Sequence, residues 1–270
     1  MKLTQYRFTV FVLLAYALSW WLLGLDVPGF PVFPFGPDLA AGAVVALTVG
    51  RPGLQALIGR LRAWRVPARW LALAIGLPLG IAVAAVAALR LTSGPHTAVP
   101  DPASFLEFFL ILPLMVLVGG ALGEELGWRG FALPILQQRH HPVVAVAILT
   151  TVHLLWHLPL FLVEDPPLLV PFAVELAGGG LVLAWMANSH HSLWPVILTH
   201  GAHNMAQQAF MSGLNHADLL TIQWLTATGW LVAGAVIALA TRGHLGAPAT
   251  KAATATLTTT LTAAPQRADS

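Results

Sequence analysis

Cysteine is absent from all 270 residues. That excludes a disulfide framework, a thiolate nucleophile and a thiolate-held metal, and it leaves the redox compartment unmarked. Charge is nearly as scarce. Charged side chains make up 9% of the chain, 13 basic against 11 acidic. The isoelectric point near 9.5 therefore reflects few acids rather than a basic face. The basic residues sit beside apolar segments, so no nucleic-acid partner is expected.

What fills the chain is apolar. Hydrophobic residues reach 57%, against about 45–50% in soluble domains. In lipid every backbone polar group must be satisfied internally, so the composition predicts an all-α polytopic membrane protein. Eight apolar segments can be drawn: 7–25, 37–50, 69–91, 104–123, 142–163, 167–187, 193–212 and 221–241. A span needs about 20 apolar residues, and the second segment is short and rich in Ala and Gly. The expectation is a bundle of about eight transmembrane helices. Lys2, Arg7 and Ala15-Tyr16-Ala17 resemble a signal peptide, but the apolar run continues through Trp20 and Trp21, which favours an uncleaved first span. Trp20, Trp21, Trp64, Trp70, Trp194 and Trp224 fall near segment ends, where amphipathic rings favour the interface.

Residues 53–68 alternate basic and apolar groups at helical spacing and predict an interfacial amphipathic helix. Arg51, Arg60, Arg62, Arg65, Arg69 and Arg139 occupy alternate loops, with Arg242, Lys251 and Arg267 after the last span. By the positive-inside rule both termini are then cytoplasmic in a multi-pass plasma-membrane protein. Only Arg90 falls near the opposite face, whose loops collect Asp26, Asp38, Asp101, Glu107, Glu164, Asp165 and Asp218. After Leu245 the Ala, Thr and Pro repeats predict a disordered tail. No internal repeat is visible, which counts against an inverted-repeat transporter.

Glu124, Glu125 and Arg129 stand out at the end of the fourth segment. Each charge at membrane depth costs about 2.5–3.5 kcal/mol on insertion scales. Glu125 and Arg129 have i, i+4 spacing and can pair on one face. Glu124 then points elsewhere and is free to act as a base. The structural alternative is that the three charges anchor a helix end at the interface. His153 and His157 also share a face, with Pro159 removing a backbone donor just beyond them. His200 and Asn204 share another, with His203 one turn from His200. Gly119, Gly123, Gly201 and Ala202 offer close helix approach, and Gly178-Gly179-Gly180 marks close packing or a flexible spot. Glu175 reads as a structural hydrogen-bonding acid. His140, His141, His190 and His191 read as solvated loop residues.

The ordered set Glu-Glu-x-x-x-Arg (124–129), His157 and His-x-x-x-Asn (200–204) resembles the CAAX-protease and bacteriocin-processing family of intramembrane proteases. So do the wider strings Gly-Glu-Glu-Leu-Gly-Trp-Arg-Gly-Phe-Ala-Leu-Pro (123–134) and Trp-His-Leu-Pro (156–159), in the style of bacterial members. The resemblance covers about residues 104–210. It implies that Glu124 and His157 activate water for attack on a peptide carbonyl, that His200 and Asn204 stabilise the oxyanion, and that Arg129 holds Glu125. The family's label as metalloproteases implies that Glu124, His157 and His200 either bind Zn²⁺ as an N/O site or position water without metal. Where the family often has Phe before the second-motif His, this chain has His153, so His153→Phe is expected to retain activity that His157→Ala loses. The chain divides accordingly into N-terminal helices (1–103), a catalytic core (104–212), a last span (213–244) and a tail (245–270).

The implied partners are the bilayer and a membrane-associated or leader-type peptide. Two other readings are a catalytically silent scaffold or bacteriocin self-immunity protein, and, ranked behind it, a proton-coupled transporter whose Glu and His groups form a relay.

Overall fold

Long apolar runs in lipid close their backbone hydrogen bonds within helices. The computed structural model describes residues 5–25, 32–93, 102–163, 165–211 and 213–247, and it holds ten helices and no strand among them. They are α1 (Arg7–Trp20), α2 (Gly36–Thr48), α3 (Arg51–Arg62), α4 (Ala68–Ser93), α5 (Pro102–Val118), α6 (Ala121–Gln137), α7 (Pro142–Val163), α8 (Leu169–Ser189), α9 (Trp194–Met211) and α10 (His216–Ala240). Lys2, Asp26, Asp101, Glu164, Lys251, Arg267 and the tail from 248 onward lie outside the described residues.

Each of the eight apolar segments corresponds to a helix. Four of them are long and apolar enough to cross a membrane: α4, α7, α8 with its leading turn, and α10. A fifth span forms if α5 and α6, whose axes differ by 41°, are one bent path. Helices α1 and α2 are shorter. The fourth segment does not stop at residue 123. It breaks at Gly119-Gly120 and resumes as α6, so Glu124–Arg129 lie in a helix beyond that break rather than at the end of an apolar path.

The packing follows the small residues. Gly178 on α8 lies so close to the Trp230–Leu231 backbone of α10 that a Cβ there would overlap it, and Gly234 returns the contact from α10. Gly201 lets α9 press on Val116 of α5. Helices α1 and α2 pair with each other, and α2 lies against α6. Helix α7 continues through Pro159 to Val163 rather than opening there.

One end of the bundle gathers α3 and the loops after α6, α8 and α10. Arg60 donates to His191 O, Asn188 to Leu245 O, and the His141 and His244 rings lie 5.7 Å apart. These are the basic loops that the charge pattern assigned to a common side. The tryptophans divide. Trp21, Trp64 and Trp224 are exposed as interfacial rings should be. Trp20 and Trp194 instead turn inward and donate to Trp156 O and Leu61 O, while Trp70 packs on Trp185. An indole that has a carbonyl to donate to gains more inside than at a wet interface.

Candidate active site

The site is built on the break between α5 and α6. Gly120 takes φ +100°, a conformation that side chains rarely adopt, and a Cβ there would run into Glu124 Oε1. The glycine thus gives Glu124 its position in the first turn of α6. Glu124 is 4% exposed, and its Oε2 lies 3.1 Å from His153 Nε2. A carboxylate only accepts, so Nε2 carries the proton of His153, and the buried Nδ1 has no hydrogen-bond partner. His157, one turn on, sets its ring 4.9 Å from His153. Ligand atoms of Glu124, His153 and His157 all lie within 4.8 Å of one another.

Glu125 points the other way, as adjacent helical residues must. It is fully buried, and its Oε1 accepts from Arg129 Nη1 and from His200 Nδ1, each at 2.8 Å. The expected Glu125–Arg129 pair is therefore formed, and it also fixes the ring of His200 on α9. Asn204, one turn along α9, donates through Nδ2 to Gly119 O at 2.9 Å. That bond satisfies a carbonyl freed where α5 ends and leaves the amide's second proton available.

Between Glu125 and Leu133 the helix widens into a π-turn, Leu126–Ala132. Such turns occur often at functional sites, and two side chains outside the motif hold this one. Asp38 Oδ1 accepts from Gly127 N at 2.8 Å. Arg60 donates to Arg129 O at 3.2 Å, to Ala187 O at 3.0 Å and to His191 O at 3.1 Å. Burial pushes the Arg60 guanidinium down to about 10, still protonated at neutral pH. The charge pattern put Asp38 in an outer loop and Arg60 in the basic stretch expected to carry an interfacial helix over 53–68. The structure places Asp38 in the first turn of α2, and Arg60 on the inward face of α3 with Gly53 and Leu57. Gly127 permits the first contact, because a Cβ there would meet the Pro37 backbone at 2.5 Å. Gly123 likewise clears Phe35, whereas Gly119 crowds only Met115 of its own helix.

Glu124, Glu125, Arg129, His157, His200 and Asn204 all line one cavity of about 190 Å³, together with His153, Glu175, His203 and Trp230. His200 is not in the group formed by Glu124, His153 and His157. In that group His153 takes the place expected of His200. Among the loop histidines, His140 and His141 are exposed, while His190 Nδ1 accepts from Ser192 N at 3.0 Å.

Residues 106–206 match a family model described as type II CAAX prenyl endopeptidase Rce1-like. That segment is similar to the core of CAAX proteases. The match starts in α5 and ends in α9, so it spans both glutamates, both α7 histidines and the His-x-x-x-Asn pair. The resemblance carried by those motifs thus holds for the segment that builds the cavity. No curated protein matches the chain.

Proposed function

We propose that the protein is an intramembrane endopeptidase that hydrolyses a peptide bond of a membrane-associated or leader-type peptide. The carrying observation is the buried Glu124 beside two histidines, in a cavity it shares with His200 and Asn204. The Rce1-like match supports a CAAX-type protease. The plasma-membrane location and cytoplasmic termini expected from the basic loops belong to the same proposal.

Glu124 takes a proton from a water held between it and the α7 histidines, and the water oxygen attacks the scissile carbonyl carbon. His153 keeps the Glu124 carboxylate oriented, and His157 holds the water from the second side. The carbonyl oxygen becomes an oxyanion, which accepts from His200 Nε2–H and from the second amide proton of Asn204. For that donation His200 carries both ring protons, its Nδ1–H being held by Glu125. Donors of this kind are worth about 2.7–4 kcal/mol each. Collapse of the tetrahedral intermediate breaks the C–N bond, and Glu124 returns its proton to the leaving amine.

The donor set suits Zn²⁺, which takes imidazole nitrogen and carboxylate oxygen. The unpartnered Nδ1 of His153 and the mutual closeness of Glu124, His153 and His157 fit such a site. When bound, the ion would act as a Lewis acid on the attacking water. The test is cleavage of a broad peptide library, free and lipidated, by wild-type protein beside Glu124→Gln. Cleavage that disappears in the variant supports the reading. Absence of cleavage by folded wild-type protein moves the weight to a binding or immunity role.

A further inference from the structure

The cavity has a second polar wall that the hydrolytic scheme does not use. Helix α8 presents Phe172, Glu175, Leu176 and Gly179 along one stripe, at helical spacing, and α9 adds His203 and Gln207. Glu175 is only 5% exposed. Its Oε1 lies 2.6 Å from His203 Nε2 and 3.3 Å from Gln207 Nε2. From α10, Trp230 Nε1 reaches His203 Nδ1 at 3.2 Å.

Both ring nitrogens of His203 are engaged, Nδ1 by Trp230 and Nε2 by Gln207 Nε2 at 2.9 Å. An indole N–H can only donate, so Nδ1 offers a lone pair. With Nδ1 accepting from Trp230, His203 does not hold the two ring protons of a cationic partner for Glu175. Glu175 Oε2 has no hydrogen bond among the described residues. Across the cavity the contrast is plain: Glu125 is answered by Arg129, the only Lys or Arg of the lining among the described residues, whereas Glu175 is not. A buried carboxylate needs a charged partner or a full set of donors, and here part of that set is missing. Two aromatic side chains, Phe172 and Trp230, line the same cavity. The ring of Phe172 also meets His157 edge-on at 5.0 Å, which joins this wall to the hydrolytic one.

We propose that Glu175, with Phe172 and Trp230, forms a subsite for a positively charged group of the peptide, an ammonium or guanidinium beside the scissile bond. The free carboxylate oxygen accepts a charge-assisted hydrogen bond, and the ring faces attract the cation. His203 and Gln207 hold the carboxylate in place. The subsite rests on the protease reading for its meaning, but its occupancy can be measured without turnover.

The probes are fluorescent peptides on an otherwise uncharged scaffold, carrying a single arginine or its neutral isostere citrulline at each position in turn. Binding is read by anisotropy on the cleavage-silent Glu124→Gln protein in detergent micelles. At one position arginine should bind about tenfold more tightly than citrulline, and Glu175→Gln, which keeps the shape and an acceptor oxygen but not the charge, should remove that preference. Equal binding of the two peptides at every position overturns the proposal, and so does a preference that survives Glu175→Gln. If Glu175→Gln does not fold, the arginine–citrulline contrast on Glu124→Gln alone decides. In the active background, a fall in kcat that is equal for both peptides assigns Glu175 to proton transfer instead and also overturns it. Failure of the protease reading shows separately, as no cleavage of any peptide by wild-type protein.

Discussion

Asp38 accepts a hydrogen bond from the backbone N–H of Gly127 at 2.8 Å, across 89 positions of sequence. The bond reaches into the π-turn between the glutamates and Arg129, and it makes a short N-terminal helix part of the catalytic framework. In Asp38→Ala the Gly127 N–H loses its acceptor, at a cost of about 1–3 kcal/mol. Thermal unfolding in detergent should show that loss together with reduced cleavage. Asp38→Asn keeps an acceptor oxygen and should recover most of both.

Breaking the ion pair beneath the site should cost more. Glu125 is fully buried and pairs with Arg129. Arg129→Ala takes the guanidinium from this buried carboxylate and leaves only His200 beside it, at a cost of about 3–5 kcal/mol. Denaturant titration in mixed micelles measures this. Arg129→Lys should restore part of it, since the ammonium carries the charge but lacks the planar fork.

Both α7 histidines should matter, contrary to the expectation that His153 is dispensable. His153 bonds Glu124 directly, so His153→Phe should lower kcat by about 10- to 100-fold, the usual loss for a partner that orients a reacting group. His157→Ala should go further, and elemental analysis should find zinc in the wild type but not in this variant. A chelator should then stop cleavage, and added Zn²⁺ should restore it.

Glycines on two helices predict opposite outcomes. At Gly178 an added side chain meets the α10 backbone, so Gly178→Val should destabilise by at least about 1–3 kcal/mol and disturb Trp230. Gly76 on α4 has open space around its Cβ position, so Gly76→Ala should stabilise by about 0.5–1 kcal/mol. Unfolding midpoints of the two variants provide the comparison.

Much of the site was legible because its spacing is local. The i, i+4 relation gave Glu125–Arg129, and the same relation put His153 with His157 and His200 with Asn204 on shared faces. The π-turn was not legible, because it depends on contacts from Asp38 and Arg60, which lie 89 and 69 positions from their partners. Charge pattern revealed neither contact, since a lone Asp or Arg near a segment end looks the same whether it faces water or a backbone group. Glu175, expected as a structural hydrogen-bonding acid, accepts from Gln207. Its place in the cavity depends on Trp230, which lies outside all three motifs. The bend between α5 and α6 was not legible for a different reason: Gly119-Gly120 breaks the helix without ending the apolar path.

The measurement that bears most directly on the central claim is kcat for Glu124→Gln, on a peptide that the wild type cleaves, with matched unfolding midpoints. If Glu124 activates the water, kcat should fall by about 10²–10⁴-fold or more, with the fold intact. A variant that retains wild-type kcat would contradict the account and move the chemistry to another part of the cavity.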